Sequence, residues 1–153
     1  MTTTPPPGSS SGIDPGFRAH MDTLISEIRE HGHAVTGSYV GRDALVLTTT
    51  GARTGLPRTN PVAFTRDGRR LIISATNDGS DNHPSWYPNI LADPNVTVEV
   101  DRRRFVARAR VANGDERARL WLRHVANHPG LAAYPERTSR VIPVLVLEPA
   151  EEG

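Results

Sequence analysis

The residues best equipped for chemistry fall between Leu45 and Pro61, in the stretch LVLTTTGARTGLPRTNP. Arg53 and Arg58 are permanent cations whose planar guanidinium groups fork onto phosphate or carboxylate oxygens. Gly51 and Gly55 let backbone amides converge on a ligand. Thr48, Thr49, Thr50 and Thr54 add hydroxyl donors. Two readings stand side by side: a turn that binds an anion, or a solvent-exposed basic turn without a ligand. A G-x-x-x-G spacing alone does not choose between them.

A second stretch, SATNDGSDNHPSWYPNI from Ser74 to Ile90, sets Trp86 beside Tyr87 after a turn rich in Asn, Asp and Gly. The chain has only three Phe, two Trp and three Tyr, so the adjacency carries information. Trp86 either anchors a helix to the core or forms a wall for a flat ring system.

Other chemistries fail on residue type. With no cysteine there is no disulfide framework, thiolate nucleophile or cysteine zinc site. All 18 Lys-plus-Arg residues are arginine, which excludes Schiff-base lysine chemistry and the P-loop lysine. His124 and His128 have helical i, i+4 spacing, but Val125 stands where a zinc protease needs glutamate. His31 and His33 mark a helix end and His83 precedes a proline, so no metal site is expected. Gly8 to Gly12 match G-x-S-x-G, yet lack the strand and helix that motif requires. The net charge of +1 assigns any anion to a local cluster rather than a global field. Arg102, Arg103 and Arg104 lack interleaved aromatics, so nucleic acid is not an expected partner.

The elements that must position these residues follow from periodicity. Met1–Gly16 is Pro, Gly, Ser and Thr with one isoleucine, and reads as a disordered tail. Residues 17–43 read as an N-terminal helix and lead-in. The helix runs over Phe17–His31, with Met21, Leu24, Ile25 and Ile28 on one face. It packs on the body or makes a weak contact with a membrane surface, packing being the expectation. Strands are expected over Ala44–Thr50, Thr59–Arg66, Arg70–Thr76 and Asn95–Val100. Two more are expected over Phe105–Val111 and Val141–Leu147, and an Asp67-Gly68 hairpin turn lies between the second and third strands. Helices are expected over Pro84–Leu91 and Asn113–Asn127. Asn113 and Glu116 would form a capping box, and Trp121, Leu122 and Val125 would share a face. Arg104, Arg108 and Arg110 read as a solvated sheet face. Short antiparallel strands with a few helices make an α+β, barrel-like domain over residues 44–150. No run of about 18 apolar residues spans a membrane, and no signal peptide is visible, which sets a cytoplasmic default.

The stretches LVLTTTGARTGLPRTNPVAF, DGRRLIISAT, HPSWYPNILADPNVTVEV and TSRVIPVLVLEP together resemble the deazaflavin-dependent nitroreductase family. The resemblance runs from about Ala44 to Pro149. It implies a split β-barrel like that of the FMN-binding oxidases. It also implies hydride transfer from the reduced 8-hydroxy-5-deazaflavin coenzyme, F420, to a small quinone, nitro compound or activated alkene. On this resemblance Arg53 and Arg58 clamp the coenzyme's phosphate, Thr54 supplies a hydroxyl and Gly55 lies in the same turn. Asn60, Pro61, Val62, Ala75, Thr76 and Asn77 run along the ring, and Trp86 lines the pocket for the acceptor. His128 and Tyr134 stand on the substrate side, and Tyr134 or a hydroxyl near Thr76 is the candidate proton source. The region of His128, Leu131 and Tyr134 is tyrosine-rich in the nitroreductases, so quinone-like acceptors are expected over nitroimidazoles. FMN in the same barrel and a non-catalytic coenzyme-binding protein are the alternatives. Pairing into a homodimer is a further expectation.

Overall fold

A computed structural model describes residues 15–37, 40–76 and 82–150. The expected tail lies outside these residues except for Pro15 and Gly16, as do Gly8–Gly12, Asn77 and Asp78.

Helix α1 spans Pro15–His31, beginning two residues before the predicted start. Strand β1 is Ala44–Thr50 and β2 is Pro57–Ala63. Thr65–Asp67 forms β3 and Arg70–Ser74 forms β4. Helix α2, Trp86–Ala92, precedes β5, Asn95–Val100, and β6, Arg103–Val111. Helix α3, Gly114–Asn127, runs into a 3-10 helix, Pro129–Glu136, and β7, Val144–Pro149, closes the chain.

All strand pairs are antiparallel, in the order β2-β1-β5-β6-β7-β4-β3. The two outer strands, β2 and β3, are halves of one bent segment interrupted only at Phe64. Its first half pairs with β1 and its second with β4. The sheet therefore curls until both edges belong to the same stretch of chain, as the expected split barrel requires. Closure of this kind removes the unpaired edges that an open sheet would leave.

The bend has its own polar support. The Phe64 carbonyl accepts from His128 Nε2 at 2.8 Å and Asn127 Nδ2 at 3.3 Å. Asn127 Nδ2 also donates to Thr65 Oγ1 at 3.1 Å, so the Thr65 hydroxyl hydrogen is free to bond His124 Nδ1 at 2.7 Å. Helix α3 thus caps the break in the strand with its polar side chains.

The interior joins Leu45, Leu47, Val62, Ile73, Val98, Ala109 and Leu147 with Trp86 and Ile90 of α2. On the outside, Ile25 and Ile28 of α1 cover Ala44 and Val46. Strand β1 is therefore buried on both faces over its first four residues, which explains its unbroken apolar run. Leu47, with no exposed surface, would leave a cavity as alanine costing roughly 2–5 kcal/mol. The buried face of α1 settles its expected alternatives in favour of packing on the body. No helix among the described residues is long and apolar enough to cross a membrane.

Several local expectations need correction. Strand β7 starts at Val144 rather than Val141, because Pro143 has no N–H to give a ladder. The capping box is not formed: Asn113 makes no side-chain cap bond, and Glu116 is held by Arg110 at 2.6 and 2.9 Å. On α3 the buried residues are Leu120 and His124, while Leu122 is 70% exposed. Arg110 is not a free surface cation, since it also reaches Glu148 at 3.0 Å.

Candidate functional site

The basic turn occupies the open end of the β1–β2 hairpin, and its backbone closes on itself. Gly51 N donates to Leu56 O and Gly55 N donates to Gly51 O, both at 2.8 Å. Gly55 has φ +72°, a left-handed conformation that favours glycine. At Gly51 a Cβ would stand 2.7 Å from Thr54 Oγ1 and 3.1 Å from the Leu56 carbonyl, so glycine is required by space. Thr54 Oγ1 accepts from Leu56 N at 3.2 Å, which leaves its hydrogen for another partner.

Register places the neighbouring residues. Arg58 lies opposite Thr49, Asn60 opposite Leu47 and Val62 opposite Leu45. Leu45, Leu47 and Val62 point into the barrel, so Arg58 and Asn60 share that face and form its rim. Arg53 and Arg58 are exposed, and among the described residues neither forms an ion pair. Two unpaired guanidiniums on a tightly fixed turn fit an anionic group.

The turn is fastened from behind by Asn89, which sequence reading passed over. Its Oδ1 accepts from Ala52 N at 2.9 Å and its Nδ2 donates to Thr49 Oγ1 at 3.1 Å. Asn89 is buried on α2, so the helix and the turn move as one piece. No local motif marks this residue; its partners lie 37 and 40 positions away in sequence.

Ala75 and Thr76 follow the end of β4. Ala75 is fully buried in the interior, and Thr76 is half-buried. Their carbonyls accept from Arg140 at 2.9 and 2.6 Å, and Arg140 Nη1 also contacts His83 Nδ1 at 3.1 Å. Trp86 is 6% exposed and packs within the main core, anchoring α2. The aromatic surface that reaches solvent is its neighbour instead, with the Tyr87 and His83 rings 4.6 Å apart.

His128 is 4% exposed and bonded to Phe64 O, at the break between the two halves of the bent strand. Six residues of strand separate Phe64 from Arg58, about 20 Å. The carbonyl of the bent strand takes up His128 Nε2. Tyr134 lies half-buried in the 3-10 helix, with the Arg137 guanidinium 5.1 Å from its ring centre.

Burial pushes His124 down to about 3, with the neighbouring His128 acting in the same direction. Among the described residues no cluster of His, Asp and Glu could hold a metal ion. The surface of the described residues includes two open clefts. One of about 410 Å³ lies at the opposite end of β1, against His31, Asp43 and Arg102. The other, about 360 Å³, lies beside the basic turn on the outer sheet face, where Gly55 and Pro57 meet Thr48, Thr97 and Arg104.

Over residues 20–149 the sequence matches the family model described as F420H(2)-dependent quinone reductase. The chain belongs to that family. An F420H(2)-dependent quinone reductase of Mycobacterium tuberculosis is 38% identical over 119 residues, 76% of this chain and 78% of the relative. A solved F420-H2 dependent reductase, FDR-A, superposes with a TM-score of 0.65 at 34% identity, covering 70% of this chain and 95% of its own. A structure described as a domain-swapped dimer superposes with a TM-score of 0.67 at 30% identity, covering 86% and 92%. The chain is therefore an oxidoreductase of the split-barrel type whose cofactor is coenzyme F420, as the sequence resemblance implied.

Proposed function

We propose that this protein reduces a small, soluble quinone with reduced coenzyme F420, and that the turn from Gly51 to Arg58 holds the coenzyme by its phosphate. The observation that carries the reading is the pair of exposed guanidiniums, Arg53 and Arg58, fixed on a rigid turn with no acidic partner among the described residues. When bound, the reduced deazaflavin supplies the hydride.

What the chain supplies is position. Arg53, Arg58 and the Thr54 hydroxyl would take the phosphate, and Gly55 would allow close approach. Asn60, Pro61 and Val62 on β2, with Ala75, Thr76 and Asn77 after β4, would flank the ring. The Tyr87 and His83 rings offer a flat surface for an acceptor, with Trp86 fixing the helix behind them. Holding donor and acceptor in contact and excluding water accounts for most of the rate such a site must provide. The hydroxyl of Tyr134 or Thr76 is the proposed source of the proton that accompanies the hydride. The reading includes a cytoplasmic location. It also includes pairing of two copies, which a structural neighbour described as a domain-swapped dimer supports.

The test is turnover. Purified protein should oxidise F420H2 in the presence of a naphthoquinone and bind FMN far more weakly. Arg53→Ala should weaken coenzyme binding by about 1.5–3 kcal/mol, ten- to a hundredfold, in a fluorescence titration. Unchanged affinity would remove the phosphate assignment, and a yellow protein carrying FMN would favour the flavin alternative.

A further inference from the structure

Pro143 creates a defect in the barrel next to the proposed ring site, and another side chain repairs it. In the β4–β7 ladder Ser74 is paired with Val144, and Ala75 N donates to Pro143 O at 2.9 Å. An antiparallel pair of this kind normally exchanges two bonds, the second running from residue 143 N to residue 75 O. Proline has no N–H to give. The carbonyl of a fully buried alanine would be left without a donor, which is costly.

Arg140, three residues upstream of Pro143, takes over. Its Nη1 donates to Ala75 O at 2.9 Å and its Nη2 to Thr76 O at 2.6 Å. The same Nη1 lies 3.1 Å from His83 Nδ1. A guanidinium only donates, so Nδ1 accepts and the neutral imidazole carries its hydrogen on Nε2. One planar group thus fixes the exit of β4, the lead-in to α2 and the tautomer of His83. The Tyr87 ring braces that imidazole from the side.

We infer that Arg140 is a positioning residue for the reduction. It holds the Ala75–Thr76 wall and the His83 ring beside the proposed ring position, away from the phosphate turn that Asn89 fastens. This rests on the proposed placement of Ala75 and Thr76 along the ring. Two anchors at two ends predict two separable defects: loss of Arg140 should damage turnover, and loss of the turn should damage affinity.

Arg140→Met removes every donor while keeping a long side chain. With F420H2 and a naphthoquinone, kcat should fall roughly tenfold or more, since small misplacements are costly in rate. The coenzyme dissociation constant should rise less than about threefold, because the phosphate contacts are untouched. Arg140→Lys keeps the charge but cannot span both carbonyls, so it should fold as the wild type does and still lose most of kcat. Adding Pro143→Ala to Arg140→Met returns an N–H opposite Ala75 O and should recover part of kcat.

A wild-type kcat in either folded variant would overturn the assignment. So would a loss of kcat matched by an equal loss of coenzyme affinity and a drop of more than about 5 °C in Tm, the mark of a purely structural role. Wild-type protein that fails to turn over at all would instead defeat the proposed function, so the two failures are distinguishable.

Discussion

Arginine does every cationic job in this chain, and two groups of arginines do it differently. On the side where α3 meets the sheet, Arg110 bridges Glu116 and Glu148, and Arg70 reaches Asp67 and Glu116. Those charges are consumed by neighbours: Arg110 is held well above its usual range, chiefly by Glu116. On the turn between β1 and β2, Arg53 and Arg58 have no acid partner among the described residues, although the turn beneath them is bonded through the N–H groups of Gly51, Ala52, Gly55 and Leu56. A rigid backbone carrying unspent charge is built for a ligand, while a rigid backbone carrying spent charge is built for stability. Polar side chains divide the same way. His124, His128 and Asn127 each bond the bent strand, so the i, i+4 spacing of the two histidines signals packing.

That contrast can be broken at several points. The largest effect should come from Asn89→Ala, which strips partners from Ala52 N–H and Thr49 at once. A loss of about 1–3 kcal/mol in unfolding free energy is expected, together with roughly tenfold weaker coenzyme binding as the turn loosens. Denaturant titration and coenzyme titration check the two halves. Wild-type affinity would show that the turn holds its shape without the helix.

Next is pH. His124 has a folded value near 3 against an ordinary 6.5, so the unfolded chain binds the proton first. Its contribution is full above about 6.5 and is lost as pH falls from there toward 3, at up to about 1.4 kcal/mol per pH unit. The lowered carboxyls of Asp67 and Glu116 add to the loss only in its lower part, once pH falls below about 4.5. Urea midpoints at pH 7, 6, 5 and 4 should therefore decline, and His124→Gln should flatten the upper part of that decline. A flat wild-type profile would mean that the buried imidazole is more easily charged than its surroundings allow.

The smallest effect belongs to Arg110→Ala. Its partners are partly exposed and screened, so about 1 kcal/mol is expected, shrinking with added salt. Coenzyme affinity should stay within about twofold. An affinity loss there would merge the two classes of arginine.

How much of this was legible in the sequence depends on the reach of the signal. Ala44–Thr50, an apolar run, and Asn95–Val100, a period-two alternation, were read to the residue because both signals and their flanking turn residues are local. The family-specific stretches carried the barrel and the coenzyme. The break at Phe64 was invisible, since it follows from barrel closure and from α3 side chains about 60 positions away. Glu116 sat at capping-box spacing, yet the nearby guanidinium of Arg110 outcompeted the helix end. The 3-10 helix over Pro129–Glu136 has no periodic face to announce it. Asn89 and Arg140 went unseen for a similar reason: each joins segments far apart in the chain. Only Pro143 hinted at the second, by removing a donor that something had to replace.

One comparison addresses the phosphate grip directly. Coenzyme F420 and its phosphate-free 8-hydroxy-5-deazaflavin chromophore should be titrated against wild type and the Arg53→Ala, Arg58→Ala double variant. The account predicts that wild type prefers the intact coenzyme by about a hundredfold and that the double variant loses nearly all of this preference, with chromophore affinity unchanged. A preference that survives removal of both guanidiniums would contradict it and place the anion elsewhere on the barrel.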